Sequence, residues 1–249
     1  MLPAKNIIEV ISCLDEIIDI SLAKKSRAGY FACLYRKMTI AVQNGINNGL
    51  FFDGPRMEQL DVIFANRYIN AYFSHTKNTP LTASWKSAFT ATGQPYTVIQ
   101  HLLMGMNAHI NLDLGIAAAE TARGIDIQLI KKDFDLINNI IGSLINIVQQ
   151  DLEEICAPMK LLKYVDNNSK ESVINFSITA ARNTAWANAQ ALSAVLPTMY
   201  DGYIVNLDRK IDVVARNIIN PNFSQSMILR AVRAFEPKDV GVIIKFLSD

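Results

Sequence analysis

Absences narrow this sequence before any motif does. There are three cysteines in 249 residues: Cys13, Cys33 and Cys156. They are odd in number, far apart and at no metal-ligand spacing, so each reads as a small buried hydrophobe in a reducing compartment. No Lys/Arg-rich block or acidic tail is present, and 24 Lys and Arg balance 23 Asp and Glu, which argues against nucleic acid as the main ligand. A Gly-rich phosphate loop, a Gly-X-Ser-X-Gly elbow, Cys-X-X-Cys and His-Glu-X-X-His are all missing, as is the Asp-rich spacing of metal-dependent terpene synthases. Glu9, Asp15, Glu16 and Asp19 interrupt the first 20 residues, where a signal peptide needs an apolar core, so a cytoplasmic location is expected. No stretch alternates as a strand does.

What remains is helical periodicity and much apolar material. Half the residues are hydrophobic, enough for one large core, and a chain of this size buries roughly 70–75% of its unfolded surface. The apolar stripes predict helices over about Pro3–Lys24 and Arg27–Asn44, then Asp53–Ser74 with Asp53 as N-cap and Pro55 in the first turn. A loop at His75–Pro80, with His75 solvated, leads to a short helix carrying Trp85 and Phe89. A central helix is expected over Tyr96–Arg123, closed by Gly124. Further helices are expected over Lys131–Glu154, Glu171–Val195, Asp208–Ile219, Ser224–Phe235 and Pro237–Leu247, with Asp166–Lys170 the most linker-like stretch. Ala181, Ala185 and Ala189 recur at a spacing that permits close helix contact. The expectation is one all-α domain over residues 1–249, orthogonal or bundle-like and without repeats, packed around the helix near 96–123.

That central helix carries the chemistry. Val98–Ala119 is long enough to span a bilayer, but His101, Asn107, His109, Asn111 and Asp113 are expensive in lipid, so it reads as a helix inside protein with no membrane span. With about 100° per residue and His101 at zero, Gly105 falls near 40°, His109 near 80° and Asp113 near 120°, so His101, His109 and Asp113 share a side. Asn107 and Asn111 form a second patch. Leu102, Leu103, Met104, Met106, Ile110, Leu112, Leu114 and Ile116 fill the rest, and Gly105 and Gly115 admit close neighbours. Histidine beside a carboxylate suits acid–base catalysis or a divalent metal, because the carboxylate fixes the imidazole tautomer. His109, Asp113, His101 and Asp61 are therefore the candidate catalytic groups, with His109 and Asp113 the candidate metal ligands. Arg67, Tyr68, Asn107, Asn111 and Arg36 are candidate ligand contacts, and Arg67 or Arg36 is the expected cation opposite Asp113. Arg182 and Trp186 suggest guanidinium–indole stacking, and Trp85 reads as core.

Four runs carry a family resemblance. They are Tyr30–Arg36, Arg56–Asp61, Phe64–Tyr68 and the distinctive His101-Leu102-Leu103-Met104-Gly105-Met106-Asn107-Ala108-His109-Ile110-Asn111-Leu112-Asp113-Leu114. Together they resemble a bacterial family known only as a domain of unknown function, from about residue 26 to the C-terminus. The resemblance implies no activity. His109-X-X-X-Asp113 also resembles the all-helical zinc-dependent phospholipase C and single-strand nuclease superfamily, but its N-terminal Trp and further histidines are absent here.

Two functional readings follow. One is an enzyme acting on a small, partly apolar metabolite at a His/Asp pocket, with or without a metal. The other is a non-catalytic domain that binds a ligand or partner, its polar cluster being structural. The sequence sets neither the substrate nor the oligomeric state.

Overall fold

Local chemistry sets most helix boundaries. The computed structural model describes residues 3–137, 140 and 173–249. Helix α1, Ile7–Ala23, starts at Asn6, whose side chain accepts from the Glu9 N–H at 2.9 Å. Helix α2, Ala28–Asn47, runs past its expected end at Asn44 because Gly45 is packed: a Cβ there would meet Phe51 and Ile140 at 3.1 and 3.2 Å. Gly49, at φ 66°, makes the left-handed turn that ends the segment. Helix α3, Gly54–Thr76, begins as expected, with Asp53 accepting from the Arg56 N–H and Pro55 in the first turn. It extends beyond Ser74, so His75 lies in its last turn rather than in a loop, stacked on Phe89 at 4.8 Å.

Helix α4 covers Ala83–Ala91. The central helix follows in three parts: α5, Val98–Ala108, a π-helical turn, His109–Leu114, and α6, Gly115–Thr121. Thr97 and Gln100 form a capping box at its start, and Gly124, at φ 85°, follows its end. A 3₁₀ turn at Ile127–Ile130 leads into α7, described over residues 131–137. The rest of the helix expected over Lys131–Glu154, the Asp166–Lys170 stretch and Cys156 lie outside the described residues. Helices α8, Val173–Ala194, α9, Pro197–Ile219, α10, Phe223–Phe235, and α11, Val240–Ser248, complete the chain. Helix α9 starts at Pro197, well before the expected Asp208, because proline suits a first helical turn. Every regular element among the described residues is helical.

Several helix starts are satisfied from far along the chain. Asp208 accepts from the backbone N–H groups of Ala83 and Ser84 at 2.6 and 3.0 Å, anchoring α4 to α9. Glu236 accepts from Val98 N–H at 2.9 Å at the start of α5, and Glu58 from Ile7 N–H at 3.2 Å at the start of α1. Each carboxylate supplies an acceptor for N–H groups that have no partner within their own helix.

The central helix is enclosed as its composition predicts. Helices α2, α4 and α9 pack on α5, α3, α8 and α9 on the π turn, and α3 and α8 on α6. Both glycines serve close approach: a Cβ on Gly105 would lie 2.5 Å from the Phe31 ring, and one on Gly115 would lie 2.9 Å from the Ala185 carbonyl oxygen. Ala185 and Ala189 are fully buried in that contact. One core cluster draws on helices from α1 to α11. Among the described residues no helix is long and apolar enough to cross a membrane.

Candidate functional site

The π turn coincides with the predicted histidine–aspartate pair. Its hydrogen bonds run from i to i+5, one residue longer than in an α-helix, and single π turns are frequent at functional sites. The extra residue rotates everything beyond it backwards relative to a continuous α-helix, so the angles assigned beyond His109 do not hold. His109 and Asp113 face each other directly, with Nδ1 of the imidazole 3.2 Å from an Asp113 oxygen. The Asn111 amide likewise donates to the Asn107 side-chain oxygen at 2.9 Å.

Asp113, 1% exposed, is held by three donors from three elements. Arg67 Nε on α3 donates to one oxygen at 2.8 Å, while Trp85 Nε1 on α4 and His109 meet the other at 2.8 and 3.2 Å. Arg67 is thus the cation expected opposite Asp113. Arg36 is not: it pairs with Asp15 on α1. Trp85, expected to be plain core, is also a specific donor to the carboxylate.

His109 stands in an aromatic cage. The Phe64 ring stacks on it at 3.6 Å and 6°, Tyr35 meets it edge-on at 4.4 Å, and Phe31, Tyr68 and Trp85 lie within 6.0 Å. Burial lowers the His109 pKa against the opposing pull of the Asp113 hydrogen bond, so the neutral ring is favoured. The tautomer follows: a carboxylate can only accept, so Nδ1 carries the proton and Nε2 presents a lone pair. Nε2 is buried and has no hydrogen-bond partner.

His109 lines a cavity of about 90 Å³ between α2, α3 and the central helix, with Nε2 itself closed off. Its lining is mainly aliphatic and aromatic, including Phe31, Met38, Phe64, Leu102 and Met106, with Tyr35, Thr39, Asp61, His109 and Arg182 as its polar members. The α2 residues on the wall run from Phe31 to Val42, roughly 16 Å of helix. Asp61 also lines the cavity, and its buried Oδ2 likewise has no hydrogen-bond partner. Asp61 has its pKa raised to about 7, first by burial and then by the charge of Glu58. Burial, followed by the negative charges of Asp61 and Asp113, holds the Tyr35 phenol well above its usual range. The cation over the Trp186 ring is Lys131, 5.2 Å from its centroid, where a stack with Arg182 was expected, and Arg182 is engaged elsewhere. Its Nη2 donates to the Phe134 carbonyl at 2.6 Å, its guanidinium lies 4.5 Å from the Phe134 ring, and burial lowers its pKa to about 10.

The other expected site residues lie apart from the cavity. His101 is buried on the same helix, but eight residues is about 12 Å along the axis, a separation that an angular projection conceals. It packs against Tyr30 and Tyr96, at 5.8 and 6.2 Å, and burial followed by the charges of Arg27 and Arg233 lowers its pKa to about 4. Asn107 donates to the Ile211 carbonyl at 3.1 Å, so the Asn107–Asn111 pair fastens α9 to the central helix. Tyr68 is buried in the cage with its hydroxyl unpaired but is not among the cavity-lining residues. Among the described residues no group of three His, Cys, Asp or Glu side chains is placed to hold a metal ion. Of the two expected ligands, His109 has only Nε2 uncommitted, and both Asp113 oxygens are engaged.

The arrangement defines a helical protein with a buried Asp–His dyad beside an apolar cavity. The chain belongs to a family of unknown function (DUF5995), whose model matches residues 7–221, a span that begins earlier than the resemblance in the sequence suggests and stops short of the C-terminus. No curated protein and no solved structure matches the chain.

Proposed function

We propose that this chain is a single-domain cytoplasmic enzyme performing acid–base chemistry on a small, largely apolar molecule bound in the His109 cavity. One observation carries the reading: His109 lines the cavity with its buried Nε2 unpartnered, while Asp113 holds the opposite nitrogen. His109 serves as general base, with Asp113 fixing its tautomer and stabilising the imidazolium formed on proton transfer. Asp61, which exchanges its proton near neutrality, serves as the acid. Arg67 and Trp85 act as positioning residues through Asp113. The donor set supports this chemistry without a metal, because Asp113 has no free oxygen to offer one.

A second reading, binding without catalysis, is favoured by the completeness of the Asp113 network, which is also how a purely structural buried carboxylate is satisfied. The two separate on turnover. Wild type and His109→Asn are incubated with a panel of small apolar alcohols, aldehydes, esters and amines, and the mixtures are analysed by mass spectrometry. Conversion by wild type alone supports the enzyme; equal conversion by both proteins removes His109 from the chemistry. Binding without conversion by wild type leaves the binding reading.

A further inference from the structure

The cavity beside His109 is bounded by carbon. The polar members of its lining turn almost no polar surface to it. Oδ2 of Asp61, Nε2 of His109 and the Tyr35 hydroxyl oxygen are buried and closed to the space. Thr39 donates its hydroxyl to the Tyr35 carbonyl at 3.0 Å, and Arg182 donates to the Phe134 carbonyl at 2.6 Å. What faces the cavity is the aliphatic and aromatic surface of residues such as Phe31, Leu34, Met38, Leu60, Leu102 and Met106. Water is a poor occupant of such a space, since a buried water needs roughly two to four polar partners. A charged group is a worse one, because it would lose its hydration and gain no partner.

Shape narrows the class further. On α2 the wall is a single stripe from Phe31 to Val42, at the three- and four-residue spacings that keep side chains on one face over roughly 16 Å. The central helix, which packs on α2, faces it with a second stripe from Ile99 to Leu114. The cavity therefore lies lengthwise in the groove between two helices. Its volume is about 90 Å³, below the roughly 150 Å³ of an engineered apolar cavity that accepts benzene. A long space of small volume fits a chain better than a ring. Met38 and Met106, unbranched and polarizable, can adapt around such a chain.

We infer that the cavity takes an unbranched, uncharged hydrocarbon chain, laid lengthwise between α2 and the central helix. This deepens the reading of a small, largely apolar substrate and rests on it for the reacting group, which a carbon wall does not specify. The carboxylate of an alkanoate or the ammonium of an alkylamine fits poorly, since either charge would lie against carbon.

The test uses the purified full chain labelled with ¹³C at its methionine methyl groups, the Met38 and Met106 signals being assigned with Met38→Leu and Met106→Leu. The protein is titrated with n-pentane, n-hexane, cyclohexane and hexanoate and followed by NMR. Hexane shifts both cavity methyl signals saturably and binds about fourfold more tightly than pentane, the difference made by one buried methylene. Cyclohexane, too wide for the groove, and hexanoate, which brings an unpaired charge, each bind at least about tenfold more weakly than hexane. Leu34→Phe narrows the groove at a partly buried position and weakens hexane by at least about tenfold; the wild-type series stands without this variant. Cyclohexane or hexanoate binding as tightly as hexane overturns the chain assignment, as does hexane binding that leaves the Met38 and Met106 signals in place. Saturable hexane binding with no conversion of any straight-chain alcohol, aldehyde or ester keeps this inference and removes the catalytic one. Conversion of cyclic compounds alone keeps the catalytic reading and overturns this one. If no hydrocarbon binds, this inference fails, and the catalytic reading rests on turnover alone.

Discussion

Replacing Asp61 by asparagine tests whether the cavity is held at a cost to stability. In the folded chain the Asp61 pKa is raised from 3.8 to about 7, so the native state retains a proton that the unfolded chain has released. Stability from this group is therefore highest below pH 4 and falls as pH rises, reaching its full loss above about pH 7. At about 1.4 kcal/mol per pH unit, the gap corresponds to a loss on the order of 4 kcal/mol, an upper bound for a group this deeply buried. Asp61→Asn keeps the shape and removes the ionisation. The variant should match wild type near pH 4 and exceed it by up to about 4 kcal/mol at pH 8.5. Urea denaturation of both proteins across that range gives the difference directly. A stability difference that stays constant with pH would refute the argument, since it would mean that Asp61 titrates alike in the folded and unfolded chains. A gain at high pH joined to loss of ligand binding is the pattern of a residue kept for function rather than stability.

Other expectations follow from individual contacts. His101, with its pKa lowered to about 4, should cost the fold about 3 kcal/mol as pH falls from 6.5 to 4, and His101→Phe should eliminate that acid sensitivity. Gly115→Ala should destabilise by about 1–3 kcal/mol despite better helix propensity, because its Cβ meets the Ala185 backbone oxygen; a stabilised variant in thermal denaturation would count against the close α8 contact. Asp113→Asn should cost about 3 kcal/mol, somewhat less than a fully buried pair because Arg67 reaches the surface. Added zinc or magnesium should leave the wild-type denaturation midpoint where it is.

Much of the frame was legible in the sequence. Asp53 and Pro55 announced the start of α3, Gly124 the end of the central helix, and the all-round apolar surface of that helix its burial. Apolar composition around His109 and Asp113 also indicated their burial, and of the two cations expected opposite Asp113, Arg67 or Arg36, it is Arg67 that pairs with it. The misses have physical causes. A fixed turn of about 100° per residue cannot foresee a π turn, which is held here by donors to Asp113 from α3 and α4. Grouping His101 with His109 used angle and ignored rise along the axis. Tyr35 and Phe64 stand in two of the runs that carry the resemblance, but only the packing of α2 against α3 and the central helix brings them to the imidazole. The carboxylates of Asp208 and Glu236 cap helices more than a hundred residues away, a pairing that no local pattern encodes.

The central claim is that His109, on the cavity wall, keeps Nε2 unprotonated while Nδ1 donates to Asp113. Long-range proton–nitrogen NMR correlation of ¹⁵N-histidine-labelled protein, assigned with His109→Asn, reads this state directly. The claim predicts a neutral imidazole protonated on Nδ1 at pH 7, with protonation displaced below the usual histidine range. A ring protonated on Nε2, or an imidazolium at pH 7, would contradict it.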